Sequence, residues 1–256
     1  MSEEKQPGGD IKARSPLLKK LDNYWYHYKW HSIIALFLVI VILVCSLQMC
    51  SKDEYDIEVL YAGPLSLNDK QAVLDIENAF ATLLSDQTGD GKVSVNLVSY
   101  WVDESIKPDE EAEGPLSDVS YLQNHSLNNQ KLYMDEIYTG NVSVFLVSPH
   151  LFYLVDKDDS TVFMRVTDVF PEMKAYEDEI CVHNEDGKIN RFGVVLSKTA
   201  FGQSAGLSSL PDDTILCLVK KSEIKGFFGA KKANEAYELA TRVFTNALAL
   251  GPRVEE

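Results

Sequence analysis

The strongest chemical signal in this 256-residue chain is Asp86-Gln87-Thr88-Gly89-Asp90-Gly91-Lys92. Side-chain oxygens at alternate positions, then a glycine for a sharp turn, suit a hard cation such as calcium. Asp86, Thr88 and Asp90 are the candidate ligands, with the Lys92 carbonyl beside them. The string departs from a full calcium loop. Its third position is Thr88, Leu97 stands where a bidentate acid belongs, and a strand is expected to follow instead of a helix. A glycine-rich turn from helix to strand is the simpler reading. Calcium is the lesser one, and no other cofactor is expected.

Other reactive residues are scattered. Beyond the hydrophobic segment, the histidines are His125 in an expected helix, His150 after Pro149, and His183 at the end of an expected strand. There is no G-x-S-x-G, Walker loop, H-E-x-x-H or G-x-G-x-x-G. No catalytic residue is assigned, each histidine reads as a surface residue, and no enzymatic activity is expected. His27 and His31 would share one helix face, but two imidazoles without a third donor do not make a metal site. Cys181 and Cys217 lie in apolar strands. They would pair only if their Cα atoms came within about 7 Å, and otherwise they are two buried thiols. Gly226-Phe227-Phe228-Gly229 lies between Lys220-Lys221 and Lys231-Lys232. Phe227 and Phe228 are the candidate contacts for headgroups or a partner, the alternative being that both rings tuck under the sheet.

The elements that must position these residues follow from charge and periodicity. Lys and Arg number 24 against 39 Asp and Glu, a net charge of −15. Residues 1–32 carry six basic and four acidic residues, which leaves 18 basic and 35 acidic beyond them, a net of −17. So acidic a surface excludes a nucleic-acid binder. A hydrophobic content of 45% excludes global disorder, and four cysteines exclude a disulfide-built scaffold.

From Trp30 to Ser51 there is no Lys, Arg, Asp or Glu. About 20 helical residues cross the hydrocarbon core, so residues 33–50 are expected to span a bilayer. Basic residues precede the span, while Asp53, Glu54, Asp56 and Glu58 follow it. The positive-inside rule then puts residues 1–32 in the cytoplasm and residues 52–250 outside, ahead of a frayed tail at 251–256. Tyr24, Trp25, Tyr26, Tyr28 and Trp30 mark the membrane interface on the entry side. The long basic lead and the missing A-x-A-like site favour an uncleaved signal-anchor over a signal peptide. Ser15-Pro16 would start the helix ahead of the membrane.

The outer segment alternates elements. Tyr55–Ala62 reads as a strand ended by Gly63-Pro64. Asn68–Leu84 reads as a helix with Val73, Ile76, Phe80, Leu83 and Leu84 on one face. Lys92–Val102 is a strand, Ser117–Tyr138 a helix with Val119, Leu122, Tyr133 and Ile137 inward, closed by Gly140, and Val142–Val147 a buried strand. Lys107–Pro115 between them is an acidic loop. Glu179–His183 and Lys188–Leu196 form a hairpin, Thr214–Val219 is a buried strand and Ala233–Leu250 the final helix. The expected fold is one mixed α/β domain, a central mixed sheet with flanking helices and a hairpin.

The aromatic entry Tyr24-Trp25-Tyr26-His27-Tyr28-Lys29-Trp30-His31 resembles that of uncharacterised single-pass membrane proteins of Gram-positive, clostridial-type bacteria, as does the Asp86–Lys92 turn. The string Tyr138–Val147 resembles a segment of extracellular solute-binding proteins, where a helix ending in Gly leads into a strand of the ligand-cleft domain. The resemblance implies a bacterial extracytoplasmic domain, a reduced relative of a solute-binding lobe, with no activity carried over. Three functional expectations stand in order: a binding or scaffolding module that partners another membrane protein and contacts the bilayer, a small-molecule binding lobe, and an extracytoplasmic hydrolase.

Overall fold

Thirty-five residues, Pro16–Cys50, form one helix, α1. A proline at the first helical position costs nothing, because its missing N–H would have no intrahelical partner. Tyr24–Ser46 within α1 is long and apolar enough to cross a membrane, and none of that stretch is buried. The computed structural model describes residues 16–50, 55–86, 91–105, 118–155, 162–184, 186–221 and 230–253. Lys107–Pro115 lies outside the described residues. The chain divides into two units, residues 1–54 and 55–256.

In the second unit the parallel strands β1 (Ile57–Gly63), β2 (Val95–Trp101) and β3 (Val144–Val147) alternate with helices α2 (Lys70–Ala81) and α3 (Asp118–Thr139). Three short helices follow: α4 (Pro149–Val155), α5 (Val166–Val169) and α6 (Glu177–Ile180). The hairpin strands β4 (Cys181–His183) and β5 (Ile189–Val195), then β6 (Ile215–Leu218) and α7 (Ala230–Ala249), complete the domain. One six-stranded sheet results, in the order β2-β1-β3-β6-β5-β4. Its first three strands are parallel, and β6, β5 and β4 join antiparallel. The expected mixed α/β sheet with flanking helices is what forms.

Strand alternation divides the core. Val59 and Tyr61 of β1 face a layer built with Ile76 and Phe80 of α2 and with Val243, Phe244 and Leu248 of α7. Leu60 and Ala62 face the other layer, with Tyr133 and Ile137 of α3 and Leu151 and Phe152 of α4. The chain leaves β1 for β2 with α2 on one face, then returns over β1 to β3 with α3 on the other.

Several boundaries follow local chemistry. Asp69 caps α2, its carboxylate accepting the Gln71 N–H at 3.0 Å. Gly140 takes φ +63° and its N–H reaches the Glu136 carbonyl at 2.9 Å, closing α3 as the sequence implies. Other expectations need correction. Glu179 and Ile180 belong to α6 rather than to a strand. Leu122 is exposed, because the buried line of α3 runs through Ser126, Asn129, Tyr133 and Ile137. Two of those four are polar and escape a search for apolar spacing.

Cys181 and Cys217 are both buried, and neither is in a disulfide. Cys181 pairs with Val194 on β5, and Val194 pairs with Leu216 on β6, the neighbour of Cys217. A whole strand therefore separates the two cysteines, and adjacent residues of a strand face opposite sides of the sheet. They are the two buried thiols of the simpler reading, and burial pushes Cys181 up to about 12.

Candidate functional site

Reversal of strand order at β1 gives the sheet a switch point at the carboxyl ends of β1 and β3, where open α/β sheets leave a crevice. Backbone bonds hold its floor. Val102 N–H donates to Gly63 O at 2.8 Å, and Ser148 N–H to Ala62 O at 2.9 Å. Glu104, just past β2, and His150, just past β3, meet above the end of β1, with Nδ1 to Oε2 at 3.3 Å. Each side chain is nearly half exposed, so the pair lies at the surface over the switch point. Ser105 Oγ donates to Asp103 Oδ1 at 2.6 Å, which commits that hydroxyl to a carboxylate and not to a histidine.

Beside this pair lies an aromatic surface. The Trp101 indole Nε1–H donates to the Pro64 carbonyl at 3.0 Å. The His125 ring lies 5.9 Å from Trp101 and 6.2 Å from Tyr121, tilted by 40° and 31°. Three rings thus form one continuous surface across the end of β2 and the start of α3. Two polar residues of α3 fix it from beneath. Asn129 Nδ2 donates to the Trp101 carbonyl at 2.9 Å, and Ser126 Oγ accepts the Asp103 N–H at 3.0 Å. Both are buried, and each satisfies a backbone group on the outward rim of an edge strand.

On the other side of β1, the turn into α2 leaves a surface groove of about 260 Å³ beside Leu67, Asn68, Lys70, Val73 and Leu74. Nearby, Tyr61 is buried, and that burial pushes its hydroxyl up to about 12. The Leu65 N–H that it accepts pulls the other way, and Asp213 adds a further push upward.

Sequence-derived candidates fare unequally. Asp86 Oδ2 accepts the Gly91 N–H at 2.8 Å, and Gly91 takes φ +82°. Thr88 and Asp90 lie outside the described residues, as do Phe227 and Phe228. Among the described residues no three His, Cys, Asp or Glu side chains are grouped to hold a metal ion. His125 and His150 come to the same rim, whereas His183 ends β4 at the opposite one. Tyr24, Trp25, Tyr26, Tyr28 and Trp30 are all exposed on α1, with the Tyr24 and Tyr28 rings stacked at 5.3 Å. Trp101, Tyr121, Ser126 and Asn129 carried no sequence signal, since their roles depend on which strand lies at the edge. No protein-family model, no curated protein and no solved structure matches the chain.

Proposed function

We propose that this chain is a membrane-anchored extracytoplasmic binding protein. Its N-terminus lies in the cytoplasm, α1 crosses the membrane once, and residues 55–256 work outside by engaging a partner protein of the same membrane. In this reading the outer domain binds and does not catalyse. One observation carries it: the rings of Trp101, His125 and Tyr121 lie side by side across the end of β2 and the start of α3, and His125, Tyr121 and the neighbouring Leu122 are exposed. Large apolar side chains gathered on one element, beside fixed polar groups, suit a protein contact. Affinity purification of the full chain from solubilised membranes tests the reading. A stoichiometric partner supports it, and the chain alone in repeated purifications overturns it.

A further inference from the structure

We infer that the ring surface of Trp101, His125 and Tyr121 docks a cationic peptide segment, with Lys or Arg heads lying over the rings. This rests on the reading that the outer domain binds a partner, and it names the chemistry of that partner.

Three observations converge. The rings are contiguous, with centroid separations of 5.9 and 6.2 Å, and Tyr121 is 64% exposed. A ring face is the negative side of its quadrupole and attracts a cation within about 6 Å. Two of the three rings, Trp101 and His125, are also held in place before anything binds. The indole is tied to the Pro64 carbonyl and the strand end to Asn129 and Ser126, and Asn129 Nδ2 lies 3.3 Å from His125 Nδ1. A fixed platform loses little rotamer freedom on binding.

The third observation is charge. The strand end that carries Trp101 continues into Asp103 and Glu104, with no basic residue in 101–105. An anionic ligand would be repelled there, and a neutral apolar one would gain nothing from the carboxylates. Only a cation uses both the ring faces and the surrounding charge, and the −15 net charge of the chain steers it inward.

The test uses the full chain in detergent micelles, with Trp25→Phe and Trp30→Phe leaving Trp101 as the sole indole. Acetylated tetra-arginine amide is titrated at physiological salt, with tetra-citrulline as the neutral isostere. The expected result is a saturable change in Trp101 emission, at least about tenfold weaker for citrulline. The pair Tyr121→Ala and His125→Ala, which leaves the formal charge unchanged, should weaken binding by roughly 5- to 30-fold, and Tyr121→Phe should retain it. An emission unmoved by tetra-arginine, or undiminished binding to the double variant, overturns the site. So does tighter binding of a neutral β-linked N-acetylglucosamine tetramer, which would make the rings a sugar platform. A partner that co-purifies equally with the double variant overturns the site and leaves the binding reading standing. Absence of any partner overturns the binding reading, while the titration still reads the site.

Discussion

The Glu77 carboxylate accepts the backbone N–H of Leu97 at 3.0 Å, reaching from α2 to the outward rim of edge strand β2. In a parallel strand alternate residues turn their N–H and C=O outward together, so Leu97, Trp101 and Asp103 share that rim. Glu77 closes it from one face of the sheet, and Asn129 and Ser126 close it from the other. Unpaired edges recruit other strands, and these side chains occupy some of the groups that would do so, at Leu97, Trp101 and Asp103. Glu77→Ala should destabilise the domain by about 1.5–3 kcal/mol, the range for a hydrogen bond to a charged group. Urea unfolding would show this, and size-exclusion chromatography should show added self-association. An unchanged midpoint would mean that water replaces Glu77 without loss.

Residues 53–250 expressed alone should be soluble and unfold in one cooperative transition, because both core layers are built within residues 55–256. Val144 is fully buried on β3, between β1 and β6. Val144→Asp should abolish folding, since an unpaired buried charge costs several kcal/mol against a total of roughly 5–15. Circular dichroism melting checks both, and a variant that melts like the parent would place β3 outside the core.

Alkaline conditions should weaken the fold. Burial raises Tyr61 and Cys181 to about 12, and Tyr133 well above the ordinary tyrosine value. In the unfolded chain these groups titrate near their ordinary values, roughly 8.5 for Cys and 10 for Tyr. Between those values and the folded ones the native state holds more protons, so stability falls as pH rises. Their contribution is complete below about pH 8.5 and is lost progressively towards pH 12. The urea midpoint should therefore decline through this window, less steeply in Tyr61→Phe. A flat midpoint would show that these groups are hydrated in the folded state.

Orientation can be read by labelling. Ser85 is exposed, while Cys181 and Cys217 are buried and contribute little background. A membrane-impermeant maleimide should label Ser85→Cys in intact cells and should reach Ser2→Cys only after lysis. Labelling of Ser2→Cys without lysis would reverse the topology.

The span should act only as an anchor. Ile33–Cys50 contains no ionisable Asp, Glu, Lys, Arg or His and no G-x-x-x-G. Replacing it with an unrelated Leu/Ala helix, keeping Lys29 and Lys52, should preserve membrane localisation and any co-purifying partner. Loss of the partner with localisation intact would place recognition inside the span.

Local signals determine much of this protein. A run without charged side chains over 33–50, polar only at Ser46 and Gln48, marks the helix that can span a membrane. Period 3.6 locates the helices α2, α3 and α7, because each buries one face, while short apolar runs locate β3 and β6, which are buried on both faces. Asp69 and Gly140 mark ends for equally local reasons, a carboxylate that caps N–H groups and a residue free to take positive φ. The short helices from Pro149 to Ile180 leave no such trace, being too brief to establish a period.

Strand order belongs to the tertiary structure alone. It decides that β2 is an edge, that Cys181 and Cys217 face opposite layers, and that Glu104 meets His150 across the end of β1. It also brings Trp101 to His125, 24 residues further along the chain, and turns Ser126, Asn129 and Glu77 into the groups that close the strand's rim. Residue type says only that an amide, a hydroxyl or a ring can make such contacts. Which backbone group or ring it meets is set by the register of strands that pair across large sequence separations.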